Sequence, residues 1–260
     1  MSETLPPRPD LTSVDESRED RPKATWHWWE VAAFTILGFF LGSVVAAVLF
    51  AAFHEGAGLP SGGLRFVGLI VAAAVNVGVL LLWLRTAHPG WEQVVGWPRK
   101  GQRLREAAIG LGFGVLFQIG AEIFSGILIL LIHSASGTEV HVPQQVESGL
   151  QGWAAVALAA YAVVAAPITE EFVFRGLLFH SVADRYGFWP GAIASAVPFG
   201  LIHIVPDATG LGLTVLVVTM IGNGLAWAGI HWRRRNLLVN IVIHATFNLI
   251  GVAFILGVGR

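Results

Sequence analysis

The chain is 260 residues long, 55% of them hydrophobic and only 13% charged, with a mean hydropathy of +0.68. Soluble domains carry about 25% charged residues, so this chain has too little polar surface to dissolve and is expected in a lipid bilayer. The net charge of −1 is silent on nucleic acid, but no basic stripe that would bind it is present, and the lack of cysteine removes disulfides and thiol chemistry.

Residues 1–25 hold Pro6, Pro7, Pro9 and Pro22, six acids and four bases, with no apolar run. That is the composition of a disordered tail. It is too acidic for a signal peptide and lacks the apolar core of one, so the first apolar segment is expected to be a retained span. Apolar runs long enough to cross about 30 Å of hydrocarbon lie near 30–53, 65–84, 106–132, 188–205, 211–231 and 236–257. The stretch 151–184 reads as one long helix kinked at Pro167 or as two short spans. The expected fold is therefore all-α, a polytopic membrane helix bundle over residues 26–260. It has about seven spans, or eight if 151–184 splits.

Positive charge arbitrates between the two counts. With the N-terminus inside and seven spans, thirteen Lys and Arg residues fall inside and only Arg65 and Arg260 outside, while Arg175 lies in the membrane. Eight spans give ten inside against five outside. The positive-inside rule selects seven, and makes the Lys- and Arg-free loop 133–150 extracytoplasmic. Trp26, Trp28, Trp29, Trp83, Trp189, Trp227 and Trp232 flank apolar runs, where interface anchors are expected.

Ionisable groups in hydrocarbon are expensive and usually mark function. Only Glu122, Glu170 and Glu171 fall well inside apolar spans. Glu171 and Arg175 are four apart on a helix and share a face, so they can pair. Glu170 is rotated about 100° away and has no such local partner. Two more polar points follow: His203, after Phe199, and the stripe Asn240, His244, Asn248 at four-residue spacing. Each alone is explained by packing or by hydrogen bonds between helices. Together they favour one hydrated cavity, because unpaired polar groups cannot be spread over lipid. Gln118, Glu122 and Ser125 also share one helical face and are expected to face the bundle interior or line its entrance. A carboxylate and two imidazoles could activate water and stabilise an oxyanion. Glu170, His203 and His244 could alternatively hold a divalent metal such as zinc, although no His-Glu-x-x-His motif is present.

The three motifs in order, Glu170-Glu171…Arg175, Phe199…His203 and His244…Asn248, resemble the CAAX-prenyl-protease and bacteriocin-processing (CPBP) family. These are intramembrane endopeptidases also called abortive-infection-like proteins. The resemblance covers about 150–252. It implies a helical membrane bundle with a conical cavity and hydrolysis of a peptide bond in a membrane-associated peptide or protein. It makes Glu170 the base that activates water and His203 its helper. His244 and Asn248 would form an oxyanion hole, and Glu171 and Arg175 would support them. A metal-independent glutamate mechanism is favoured over a zinc one, with no cofactor. The expected location is the cell membrane. The competing class is non-catalytic: a peptide-binding immunity protein, or a small transporter with Glu170 as proton relay. A transporter is disfavoured because its paired broken-helix repeats are not evident, and Glu122 alone of the intramembrane acids lies in the first half. Reporter fusions test the topology: fusions at residue 140 and at the C-terminus should both read extracytoplasmic, and a cytoplasmic C-terminus would refute seven spans.

Overall fold

The computed structural model describes residues 21–57, 61–98, 100–143, 151–205, 208 and 210–258. Residues 1–20 of the expected tail and 144–150 of the expected outer loop lie outside the described residues. Among those described, every regular element is helical. In chain order they are α1 (Trp28–Ala57), α2 (Ser61–Ala87), the short α3 (Trp91–Val95), a single 3₁₀ turn (Lys100–Gln102) and α4 (Arg103–Ser136). Then come α5 (Gly152–Tyr186), α6 (Phe188–Leu201), α7 (Leu211–Arg234) and α8 (Leu237–Val258).

Six of these, α1, α2, α4, α5, α7 and α8, are long and apolar enough to cross a membrane. The protein is a multi-pass membrane bundle. The seventh expected span is shorter than its apolar run. Helix α6 has 14 residues, about 21 Å of rise, and ends at Leu201 with Pro198 in its last turn. The chain then turns through Ile202, His203 and Ile204, with Ile202 N–H donating to Pro198 O at 3.0 Å and His203 N–H to Gly200 O at 3.2 Å. The expected span 188–205 is thus a short helix plus a turn.

The stretch 151–184 is one helical run without a break, which leaves no place for an eighth span. Two π-helical segments, Tyr161–Ala165 and Phe172–Leu178, widen it on either side of Pro167 and the glutamates. The first has a local cause. A proline in a helix clashes with the carbonyl four residues back and has no N–H to donate. In the π pattern Ala166 N–H bonds Tyr161 O, so Ala162 O would need the N–H of Pro167. That orphaned carbonyl accepts instead from Asn248 Nδ2 at 2.7 Å.

Helix α5 is central, touching α1, α2, α6 and α8, while α1 lies along α2, α4 along α8 and α6 along α7. The α4–α8 contact is close because glycine permits it: a Cβ on Gly110 would sit 2.8 Å from Val239 O, and one on Gly114 2.8 Å from Ile243 O. The bundle also begins before α1. Ala24 and Trp26 are buried, Ala24 N–H donates to Asp184 Oδ2 at 3.0 Å and Trp26 Nε1 donates to Leu177 O at 3.0 Å.

The tryptophans divide into two groups. Trp28, Trp29 and Trp189 are exposed, as anchors should be, but Trp26, Trp83 and Trp227 are core residues. Proximity to the end of an apolar run does not distinguish the two. Gly114→Val should destabilise the bundle by about 1–3 kcal/mol through overpacking, read as a lower thermal midpoint in detergent. Gly112→Val, where no atom lies within 4 Å, should leave the midpoint near wild type.

Candidate active site

The centre of the site is a buried ion pair. Glu171 and Arg175 are both 0% exposed, and Arg175 Nη1 donates to Glu171 Oε1 at 2.9 Å. The guanidinium lies 4.2 Å from the centre of the Phe199 ring and 5.3 Å from that of Trp227, and Nη2 contacts Gly224 O at 3.4 Å. Arginine tolerates such burial because aromatic faces replace part of its hydration.

The same Glu171 oxygen accepts a second bond, from His244 Nδ1 at 3.0 Å. Helix α8 is thereby tied to α5. The bond also assigns a proton: Nδ1 must carry it to donate to a carboxylate, so Nε2 of a neutral ring is an acceptor. Nε2 lies 3.9 Å from Glu170 Oε2. His203 is fixed in the same manner, with Nδ1 donating to Phe199 O at 2.6 Å. The Phe199 ring packs against both imidazoles, at 4.8 Å from His203 and 5.7 Å from His244.

All four residues singled out in the sequence, Glu170, His203, His244 and Asn248, line one cavity of about 640 Å³. That volume is typical of a small-molecule or peptide-side-chain site. Glu170 retains 18% side-chain exposure, and its Oε2 has no hydrogen-bond partner in the protein. Glu171 and Arg175 do not line the cavity and lie behind it. Asn240 parts company with the stripe: it is fully buried and donates to Trp227 O at 2.9 Å, joining α7 to α8. Glu122 also lines the cavity, with Gln118 Nε2 donating to its Oε1 at 2.9 Å.

Two polar lining residues escaped the sequence reading, Tyr161 and Thr219. A tyrosine or threonine in an apolar helix carries no distinguishing pattern, and only the fold brings them in. A second polar cluster was also missed. His180 Nδ1 lies 3.2 Å from both Asp184 oxygens, and its Nε2 is 3.1 Å from His231 Nε2. The four-residue spacing of His180 and Asp184 was its sequence signal. Among the described residues no group of three or more His, Cys, Asp or Glu side chains is arranged to hold a metal ion.

A protein-family model matches residues 151–250, described as Rce1-like, type II CAAX prenyl endopeptidase. Residues 151–250 are thus similar to that family, over somewhat less than half of the chain. This stretch runs from α5 into α8 and holds Glu170, Glu171, Arg175, His203, His244 and Asn248. Comparisons with curated proteins and with solved structures give no match. That description is of a peptidase family. Helix α4, which supplies the Glu122 wall of the cavity, lies outside the Rce1-like segment.

Removing one partner of a buried ion pair strands the other charge, at about 3–5 kcal/mol. Glu171→Gln or Arg175→Met should therefore lower the unfolding midpoint sharply in detergent. Glu170→Gln should leave it almost unchanged, since no ion pair shorter than 3.9 Å is lost.

Proposed function

We propose that the chain is an intramembrane endopeptidase that hydrolyses a peptide bond of a membrane-associated peptide or protein with a glutamate-activated water and no metal. The observation that carries this is the position of Glu170 Oε2: unpartnered, lining the cavity, and 3.9 Å from His244 Nε2. In their unprotonated forms those two atoms are both acceptors. A separation beyond direct hydrogen bonding leaves Glu170 free to accept from a water.

The reaction then runs as follows. Glu170 takes a proton from water as the water oxygen bonds to the carbonyl carbon of the substrate. His203 Nε2, an acceptor once Nδ1 is committed to Phe199 O, orients the second water hydrogen. The carbonyl π electrons move onto oxygen, giving a tetrahedral oxyanion. Asn248 can donate the amide hydrogen not given to Ala162 O. His244 can donate only as an imidazolium, because its neutral form presents a lone pair at Nε2. The Glu171 carboxylate at Nδ1 is the group that would hold that cation, in the manner of a carboxylate behind a catalytic histidine. Collapse breaks the C–N bond, and Glu170 returns its proton to the leaving amine. The products are a carboxylic acid and an amine, and the base is restored.

The lipid bilayer is the second partner: the cavity lies among membrane-crossing helices, so a substrate must reach it from the membrane or its surface. The CAAX motif in the family description offers a prenylated C-terminal peptide as a first substrate to try. The test is cleavage of membrane-anchored peptides by purified protein in nanodiscs, followed by mass spectrometry. Glu170→Gln should reduce the rate by at least about 100-fold, and a chelator should leave wild-type activity intact. Full activity of Glu170→Gln would refute the assignment of the base. Loss of activity with the chelator, restored by zinc, would refute the metal-free mechanism.

A further inference from the structure

The cavity runs from the level of Glu170 toward one end of the bundle, and the two ends differ in charge. One end is tied together around arginines. Arg234 Nη2 donates to Glu106 Oε2 at 2.6 Å, and Arg235 Nη2 lies 3.7 Å from Asp184 Oδ1. Ala24 N–H donates to the same Asp184 carboxylate, and Leu237 N–H donates to Gly96 O at 3.1 Å. These contacts bring the end of α5, the end of α7 and the starts of α4 and α8 onto one face. At the opposite end a Cβ on Gly63, at the start of α2, would strike the Trp153 ring at the start of α5, and one on Gly212, at the start of α7, would strike His141 O. Arg65 is the one lysine or arginine at that end among the described residues.

On every helix that lines the cavity, the lining residues lie away from the arginine end. Leu69 comes early in α2, and Arg85 comes late. Ile129 comes late in α4, which begins at Arg103. Leu158 comes early in α5 and Val215 early in α7, while Arg185 and Arg233 close those helices. Ile255 lies in the last turn of α8, which starts beside Arg235. Val142 and Pro143 after α4, with Ile204 and Val205 after α6, complete the rim. Toward the arginine end the interior is filled instead. Glu171, Arg175, Phe199 and Trp227 form a layer in which no residue is more than 1% exposed. Behind it lie His180 and His231, both 0% exposed, with their Nε2 atoms 3.1 Å apart and the Phe179 ring against both. None of these residues lines the cavity. The positive-inside rule puts the arginine end in the cytoplasm.

We propose that the cavity opens to the extracytoplasmic side, and that the substrate is a membrane-anchored peptide presenting its scissile bond from that side. The substrate part rests on the cavity being the peptide site proposed above. A peptide at the cytoplasmic surface would have to displace the imidazole pair and then the Glu171–Arg175 layer to reach Glu170. Breaking that layer strands a buried charge. A peptide anchored in the outer leaflet meets only the rim of Val142, Pro143, Ile204 and Val205. The substrate class is therefore an exported, membrane-anchored peptide.

Access can be measured apart from hydrolysis. The chain has no cysteine, so single cysteines report it directly. Gly251→Cys places a thiol in the cavity, Val142→Cys marks the rim and Gly101→Cys marks the arginine end. A Cβ on Gly251 or Gly101 meets no atom within 4 Å, so both variants should fold. Sealed membrane vesicles holding the full chain, right-side-out or inside-out, are treated with a small impermeant methanethiosulfonate cation. The modified fraction is read by mass spectrometry. Gly251→Cys and Val142→Cys should react in right-side-out vesicles and be spared in inside-out ones, and Gly101→Cys should do the reverse. Reaction of Gly251→Cys from the Gly101 side, or from neither side, would overturn the proposal. So would reaction of Val142→Cys in inside-out vesicles alone. A palmitoylated peptide with a charged tail that cannot cross the membrane is then added to each kind of vesicle. Cutting that needs Glu170 should occur in right-side-out vesicles only. Cutting confined to inside-out vesicles would overturn the route and leave the hydrolytic assignment standing. If Gly251→Cys reacts from outside but the peptide is cut in neither, the opening stands and the hydrolytic assignment fails.

Discussion

A single carboxylate oxygen, Glu171 Oε1, receives Arg175 from its own helix and His244 from α8, and the arrangement of the last four helices follows from it. A carboxylate with no exposure must be neutralised and hydrogen-bonded, because an isolated ion in a low-dielectric interior is untenable. Arg175 supplies the charge. Its guanidinium then needs faces to lie against, and Phe199 of α6 and Trp227 of α7 provide them. The Trp227 ring also packs on His244, at 4.9 Å between centres. One buried acid therefore fixes the mutual placement of α5, α6, α7 and α8. The residues that face the cavity are positioned by groups that do not.

Adjacent glutamates can serve different ends because a helix separates consecutive side chains by about 100°. Glu171 points into the packed side, where its Oε1 receives both Arg175 and His244. Glu170 points into the cavity and pairs with neither. Pro167 sharpens the contrast. Its missing N–H orphans Ala162 O, and Asn248 fills the gap from α8. Asn248 is therefore a structural clasp whose second amide hydrogen is available to the cavity. Substituting it removes a donor and reopens a helix defect, so a loss of activity there is weaker evidence for an oxyanion role than it would be at an exposed asparagine.

What the sequence disclosed follows the range of the interactions. The Glu171–Arg175 pair was legible because four-residue spacing on a helix is local geometry. The convergence of Glu170, His203, His244 and Asn248 could be argued because buried polar groups in lipid must find one another. The bond from His244 to Glu171 was not legible: nothing in the spacing says which of two neighbouring acids an imidazole 73 residues away will meet. The length of α6 was misjudged because the apolar run continues through Ile202 and Ile204, while the helix stops after Pro198. Trp26, Trp83 and Trp227 were misplaced because an indole at the end of an apolar run can face lipid headgroups or the neighbouring helix. Trp26 and Trp83 are instead drawn inward, where both rings pack edge-on to His88 at 5.7 and 5.0 Å.

The Rce1-like segment and the cavity do not have the same boundaries. The segment supplies the acid, both imidazoles and the asparagine, but α4 supplies Gln118, Glu122 and Ser125, and α2 supplies Phe66 and Leu69. A peptide in the cavity would touch both halves of the chain. Its reacting bond would lie against groups held by the Glu171 network, and its side chains would meet walls built elsewhere. Those walls are under a weaker constraint. A change at Glu122 breaks no buried ion pair, because its side chain is exposed and hydrogen-bonded only to its neighbour Gln118. Such a position can vary in charge without unseating Arg175 or His244. The α4 wall can therefore change while the arrangement of α5 to α8 is held fixed by its own electrostatics.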